Sequence, residues 1–250
     1  MIDKDIEYLN KGLLINEFLV IGDIHLGYSE KSYRVVYPQM QLDEIKKEID
    51  EIFDFVGKNN RKIKKIILLG DIKHRFKNIS SEEWRETLQF MDFLIQKVGK
   101  KNIIVIKGNH DVSLDPILKK RDIKLKKFYE FKLKINKKLK KFFFCHGNIL
   151  FKQCLDSDYI VFGHLHPAII LEDKYKSEKY KCFMKGKWGK KQVFILPSFS
   201  EISRGINLGK LNNYKNDFSI IPNKNLKNFE IVIYNNKDKK EHSFGKLKEL

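Results

Sequence analysis

Nine residues of the sequence have side chains suited to metal binding or proton transfer, and they fall in five short groups. These are Asp23 with His25, Asp71 with His74, Asn109 with His110, His146 alone, and His164 with His166. Each group stands at the end of a short apolar run: Phe18–Ile21, Ile66–Leu69, Ile103–Ile106, Phe142–Cys145 and Tyr159–Phe162. Four-residue apolar runs without a helical period read as buried strands. The ends of such strands are where open α/β sheets place their ligands. A single strand followed by Gly-Asp is most often just a turn. Of the 7 histidines, however, all but His242 lie in these endings, and composition alone does not cluster them so.

Asp23 and His25, two apart, offer one hard oxygen and one imidazole nitrogen to a first metal ion, and His166 can complete that set. Asn109, His146 and His164 offer an amide oxygen and two imidazoles to a second. Asp71 has two carboxylate oxygens and can touch both ions, as two-metal hydrolysis requires at a separation of ~3.5–4 Å. The oxygen–nitrogen mix without thiolate suits Mn²⁺ first, with Fe²⁺, Zn²⁺ or Mg²⁺ as alternatives, and does not look like a structural zinc site. Two such ions polarise a phosphoryl group and lower the pKa of a bridging water, making hydroxide the nucleophile. His110 is left over and suits a general acid toward the leaving oxygen. His74 either orients substrate or His110, or caps a loop. Arg75 is weighed between a phosphate contact and an ordinary surface charge. Cys145 adjoins His146, so on a strand it faces the other way, into the core.

The elements that must position these residues follow from periodicity. Residues Ile6 to Ile15 read as an edge strand or hairpin around Asn10-Lys11-Gly12, and a polar loop is expected from Leu26 to about Pro38. Leu42, Ile45, Ile49, Ile52 and Val56 keep helical spacing over Leu42–Phe55. Ser80-Ser81-Glu82-Glu83 is a capping box. It opens a helix with the stripe Trp84, Leu88, Met91, Leu94 or Ile95, and Val98, where Trp84 and Phe90 read as core rather than as a base-stacking pair. Strand, helix, strand, helix, strand gives a parallel sheet with right-handed crossovers.

Past Asp111 the pattern changes. Asp115 to Arg121 reads as a short helix. Lys124 to Ile135 reads as one alternating strand, with Leu125, Tyr129, Phe131, Leu133 and Ile135 on one face and Lys124, Lys126, Lys132 and Lys134 on the other. Asn136-Lys137-Lys138 turns it into a basic hairpin. Short strands are then expected at Ala168–Leu171, Tyr180–Lys185, Gln192–Leu196, Phe218–Ile221 and Phe229–Tyr234. The expected fold is α/β: a four-layer α-β-β-α sandwich of two mixed sheets flanked by helices, the second sheet mostly antiparallel. It forms a single domain over 1–250, with a ligand-bearing core at about 17–167 and a second-sheet remainder at 168–250.

Composition bounds the function. At 250 residues and 42% hydrophobic content the chain can bury a sizeable core. No run approaches the ~18 apolar residues of a membrane span, and the acidic N-terminus is not a signal peptide. The 3 cysteines, odd in number and without CxxC spacing, argue for a reducing cytoplasm. Net charge is +18 and uneven: residues 1–100 hold 17 of each sign, leaving 33 basic and 15 acidic residues in 101–250. A Lys-rich thermophile composition raises Lys and Glu together. The asymmetry instead favours an anionic partner, with Lys124, Lys126, Lys132, Lys134 and the lysines of 174–191 as the contact surface.

The set Asp-Ile-His (23–25), Gly-Asp (70–71), Gly-Asn-His-Asp (108–111), His-Gly (146–147) and Gly-His-Leu-His (163–166) resembles the calcineurin-like metallophosphoesterases. Asp-Ile-His-Leu-Gly-Tyr (23–28), and His74 where protein phosphatases carry aspartate, are similar to the SbcD-type nucleases and their small archaeal and ligase-associated relatives. The resemblance implies one manganese on Asp23, His25, Asp71 and His166 and another on Asp71, Asn109, His146 and His164. It implies a proton donor or transition-state stabiliser at His110 and a second histidine of the nuclease branch at His74. Only 84 residues follow His166. They leave no room for the capping domain or the ATPase-holding helices of the large break-repair nucleases, so an ATPase or other repair partner is not implied. Leu196-Pro197-Ser198-Phe199 resembles the post-site strand of the small repair-associated members.

Three functions are then weighed. A DNA nuclease or phosphodiesterase in repair or processing comes first. A phosphatase or diesterase of nucleotides or other small phosphate esters comes second, and a non-catalytic binding module third.

Overall fold

Short apolar strands bury both faces only if something covers each side, and here two sheets cover one another. The computed structural model describes residues 5–27, 38–77, 79–172, 174–213 and 218–250. Most of the polar loop expected between Leu26 and Pro38, with Tyr28 in it, and the first four residues lie outside the described residues.

The first sheet contains β1 (Ile6–Leu9), β2 (Gly12–Ile15), β3 (Phe18–Ile21), β4 (Lys65–Leu68), β5 (Ile103–Ile106) and β6 (Leu125–Lys126), in that spatial order. β1 and β2 form the expected hairpin, turning at Asn10 with φ 55°. From β3 to β6 every pairing is parallel. Helices α1 (Pro38–Lys58) and α2 (Ser81–Val98) cross over between β3, β4 and β5. All five residues of the α1 stripe, Leu42, Ile45, Ile49, Ile52 and Val56, are buried, each contributing about 1.5–3 kcal/mol of transfer free energy.

The α2 stripe is rotated from the expected one. Phe90, Met91 and Leu94 are fully buried, while Trp84, Leu88, Ile95 and Val98 are only partly so. Glu83, Glu86 and Thr87 take the remaining inward positions. Ser80 caps the helix by accepting from Glu83 N at 3.1 Å. The Glu83 carboxylate leaves the capping box and accepts from His74 N and Arg75 N, each at 2.9 Å.

After α3 (Asp115–Lys119) the single alternating strand expected over Lys124–Ile135 is two. β6 closes the first sheet, and β7 (Tyr129–Ile135) begins the second. The second sheet runs β16-β15-β12-β13-β9-β8-β7. Its members are β7, β8 (Lys138–Phe144), β9 (Tyr159–Phe162), β12 (Phe183–Trp188), β13 (Lys191–Ile195), β15 (Glu230–Asn235) and β16 (Lys240–Lys246). β8–β9 and β9–β13 are parallel and the other pairings antiparallel. The β7–β8 turn places Asn136 and Lys137 at φ 48° and 65°, the left-handed pair that a two-residue hairpin requires.

Val20 and Ile67 of the first sheet pack against Phe142, Phe144, Val161 and Phe194 of the second. Residues 180–185 do not form one strand. β11 (Ser177–Lys181) breaks at Cys182 and joins a small third sheet with β10 (Pro167–Glu172) and β14 (Ile206–Asn207). Phe218–Ile221 is a bend rather than a strand; Ile220 N donates to Gly147 O at 2.9 Å. The outer face of the second sheet is covered by Leu208 and Leu211 on a 3₁₀ turn, Ile221 in a bend and Leu226 on the four-residue α4 (Asn223–Leu226). That half has no helical period, so its outer layer is thin. Cys145, Cys154 and Cys182 are free and buried. Among the described residues no helix is long and apolar enough to cross a membrane.

Candidate metal centre

The five strands bearing Asp, Asn and His end at one edge of the sandwich, β3, β4 and β5 from the first sheet and β8 and β9 from the second. Beyond the strands the loops are stitched together by main-chain hydrogen bonds. Asp23 N donates to Gly70 O (3.0 Å), His25 N to Asp71 O (2.9 Å) and Gly163 N to His146 O (3.0 Å). Asp23, His25, Asp71, His164 and His166 all have positive φ, at 56°, 51°, 51°, 62° and 47°. Non-glycine residues rarely adopt this conformation, and when they cluster there they mark a site. The glycines among them leave room for close approach. A Cβ on Gly108 would stand 2.0 Å from Asp71 Oδ1, and one on Gly163 would stand 2.2 Å from Asp23 Oδ2.

The side chains converge in two overlapping groups. Asp23, His25 and His166 bring their donor atoms within 4.8 Å of one another, and so do Asp71, His146 and His164. In the first group His166 Nε2 lies 3.1 Å from Asp23 Oδ1 and 3.4 Å from His25 Nε2. In the second, His146 Nε2 lies 2.8 Å from Asn109 Oδ1, 3.0 Å from His164 Nδ1 and 3.4 Å from Asp71 Oδ2. That same Asp71 oxygen is 3.9 Å from His25 Nε2 in the first group. One buried carboxylate oxygen therefore faces both groups.

The outer contacts orient the rings. His146 Nδ1 donates to Leu69 O at 2.9 Å, and His166 Nδ1 lies 3.0 Å from the Ser203 hydroxyl, so each presents Nε2 inward. Asp23 Oδ2 accepts from His164 N and Asp71 Oδ1 from His110 N, each at 2.9 Å.

The electrostatics call for a cation. Burial alone would raise the pKa of both carboxylates, but neighbouring imidazoles hold Asp23 and Asp71 below the ordinary range. Burial lowers His25 to about 3 and His164 to about 4. His146 goes the other way, to about 9, because Asp71 outweighs its burial. Inward-facing nitrogen and oxygen lone pairs this close, with two buried carboxylates, fit divalent ions, which would replace the proton that His146 otherwise holds.

His110 and His74 lie at the rim. The His110 ring stands edge-on to His25 at 4.9 Å and against Phe76 at 3.7 Å between centroids. Its Nδ1 is bonded to His74 O, which leaves Nε2 3.8 Å from Asp71 Oδ2. His25, His74 and His110 form a third group of convergent nitrogens. The Arg75 side chain is exposed beside them.

Lys124, Lys126, Lys132 and Lys134 are exposed, but they do not form one face. Lys126 O accepts from Lys107 N at 2.8 Å, next to the Gly108–Asn109 loop. Lys132 and Lys134 run away from the centre: Tyr129 pairs with Phe144 near His146, and Ile135 with Lys138 at the far end of β8.

Four supporting residues have no role in the sequence reading. Asp111, fully buried, accepts from Gly108 N (2.9 Å) and Ile72 N (3.0 Å) and locks the His110 loop to the Asp71 loop. Ser198 Oγ donates to Asp23 O at 2.7 Å, and Gln41 Nε2 to His25 O at 3.0 Å. Ser203 orients His166. Asp111 carried a signal, a carboxylate one position after His110, and Ser198 lay in the Leu196-Pro197-Ser198-Phe199 segment. Gln41 and Ser203 act from distant segments whose residue types are ordinary.

A comparison with curated protein sequences finds no match. Among solved structures, the chain is similar to the Pseudomonas putida nuclease MPE at 17% identity and a TM-score of 0.55, covering 89% of this chain and 88% of that one. It is also similar to the E. coli phosphoesterase YfcE, at 15% identity and a TM-score of 0.48, with 91% and 98% covered. Residues 17–157 match the family model of the calcineurin-like phosphoesterases. With that match spanning more than half of the sequence, and donor groups suited to divalent metals at the strand ends, the chain belongs to the calcineurin-like phosphoesterases, metal-dependent hydrolases of phosphate esters.

Proposed function

We propose that this protein is a two-metal phosphodiesterase that cuts nucleic acid, with DNA as the substrate and DNA repair or processing as the setting. The observation that carries the reading is the single buried Asp71 oxygen facing both donor groups, with a histidine pair at the rim and a strongly basic second half.

Asp23, His25, Asp71 and His166 would hold one ion, and Asp71, Asn109, His146 and His164 the other. Such ions, manganese being the best match to the mixed donors, supply Lewis acidity to a phosphoryl oxygen and bring the pKa of a water toward neutrality. The chain does the rest. The Nδ1 contact to His74 O fixes the His110 ring, so Nε2 is the atom that can pass a proton to the departing oxygen. His74, lowered to about 4 by burial and by His110, is neutral at pH 7 and positions His110 through its carbonyl. Asp111 and Glu83 hold the two loops in register from behind. The Lys excess draws the phosphate backbone to this edge.

The test compares metal-dependent cleavage of end-labelled DNA with hydrolysis of a small aryl phosphodiester. DNA cleavage in Mn²⁺ supports the reading. Turnover of the aryl ester alone moves the assignment to nucleotides or other small phosphate esters, and turnover of neither leaves a binding module.

A further inference from the structure

A second concavity opens at the same end of the sandwich as the metal centre. The β1–β2 turn bounds it on one side, beside the end of β3. On the other side is Pro197, which follows β13 where Ile195 pairs with Phe162. Its volume is about 490 Å³, within the ~300–1,000 Å³ of small-molecule pockets.

Its lining carries four cations, Lys11, Lys179, Lys181 and Arg204, and the carboxylate Glu201. Lys11 is balanced by Glu48 at 2.6 Å and Glu201 at 2.5 Å. Lys179 and Lys181 donate instead to neutral carbonyls, Lys179 to Gly205 O and Lys181 to Ser198 O and Ser200 O. Arg204 is exposed on the same wall. Among the described residues, no ion pair is made by any of these three cations. Like charges also face each other: burial first, and then Arg204, lower Lys179, while burial and then Lys11 lower Lys181 to about 8, against the opposite pull of Glu201 and Glu48. An anion between them would relieve both repulsions.

The lining is not only cationic. Tyr180 and Tyr234 line the same cavity, and Asn236 Nδ2 donates to Asn10 Oδ1 at 3.0 Å. Each amide in that pair keeps polar atoms for a ring edge.

We propose that this cavity binds a nucleotide unit, with its phosphate on Lys179, Lys181 and Arg204 and its base against Tyr180 and Tyr234, within reach of the Asn10–Asn236 amides. Cations alone would describe a phosphate site; the aromatic and amide groups that line the same cavity specify the base. The wall is also the support of the metal centre. Ser198 and Ser203, which hold Asp23 and His166, lie on the segment that carries Pro197 and Arg204. The unit arrives either as a free mononucleotide or as part of a strand whose phosphate lies at the metals. The site stands on its own residues and does not rest on the nucleic-acid reading of the metal centre.

Binding of dAMP and of a short single-stranded oligonucleotide is measured by calorimetry in EDTA, which removes metal-bound phosphate from the readout. Wild type and Asp71→Asn are expected to bind alike. Lys179→Glu and Arg204→Glu, both on exposed side chains, should weaken binding at least tenfold, and Lys179→Glu, which lies off the Ser198–Ser203 segment, should still hydrolyse a small aryl phosphodiester with added Mn²⁺ at the wild-type rate. Charge-sensitive binding of dAMP marks a free ligand; charge-sensitive binding of the oligonucleotide alone marks a strand. If neither ligand responds to either reversal, the proposal is overturned. If charge-sensitive binding persists while no DNA is cut, the cavity stands and only the nuclease reading falls.

Discussion

The His110 ring donates its Nδ1–H to the main-chain carbonyl of His74. A carbonyl can only accept, so Nε2 is the nitrogen turned toward Asp71 and the reacting edge, and there the imidazolium form carries the proton that a general acid gives up. His110→Ala should therefore keep its full metal content and lose about 10²–10⁴-fold in kcat on DNA, the range for a positioned general acid. An activated aryl phosphodiester, whose leaving group needs little protonation, should lose about tenfold or less. A mutant that loses metal as His164→Ala does would make His110 a ligand instead.

Asp71→Asn removes the charge that faces both donor groups. Elemental analysis should find two divalent ions per wild-type chain and at most one in the variant. Its activity should fall further than with any single histidine ligand, beyond the ~10–100-fold typical of losing a supporting contact. A wild-type enzyme fully active with one ion would remove the bridging role.

The split of the basic strand makes the lysine pairs separable. Reversing Lys124 and Lys126 to Glu, beside the Asn109 loop, should reduce the salt dependence of DNA binding by about 1–2 in the log–log slope, at ~0.9 per phosphate. Reversing Lys132 and Lys134, which lead away along β7, should change it less. Aryl ester hydrolysis should survive both. A quadruple variant that cuts DNA normally would make a small phosphorylated substrate the better assignment.

Glu86 gives a pH signature in stability. It is 1% exposed, and a backbone hydrogen bond from Gly27 offsets only part of the cost of burying its charge. Burial, and then Glu82, push it up to about 7. The folded state therefore prefers the neutral acid. The penalty is absent below the unfolded pKa of ~4.3, grows as pH rises toward 7 and is complete above it. Glu86→Gln should leave Tm unchanged at pH 4 and raise stability at pH 8 by roughly 2–3 kcal/mol. An equal shift at both values would refute ionisation as the cause.

The strand ends were legible because each apolar run stops at a polar residue that chemistry can use, and the six clustered histidines point to one place. α1 was legible because a single stripe is buried. α2 was read with Met91 and Leu94 correctly inside but with the stripe rotated: Glu83 and Glu86 look solvent-facing by type, yet Glu83 is needed inside to hold His74 N and Arg75 N. At Lys124–Ile135 the alternation runs on through a change of sheet, because periodicity reports which side faces inward but not which neighbour the backbone pairs with. Phe218–Ile221 has the apolar content of a strand but uses it to cap the second sheet. Ser198, Ser203 and Gln41 act across long separations that local pattern does not encode.

The left-handed backbone at Asp23, His25, Asp71, His164 and His166 decides which replacements are informative. Alanine at any of them changes two things at once, the donor atom and the ease of holding the turn. Asparagine tolerates that region best among the residues with a side chain, so it removes charge or imidazole without releasing the loop. Any replacement with a β-branched side chain would report on backbone cost, whatever its effect on turnover. The same constraint narrows the exchanges these five positions can accept, independently of the metal: a residue there must first be able to make the corner.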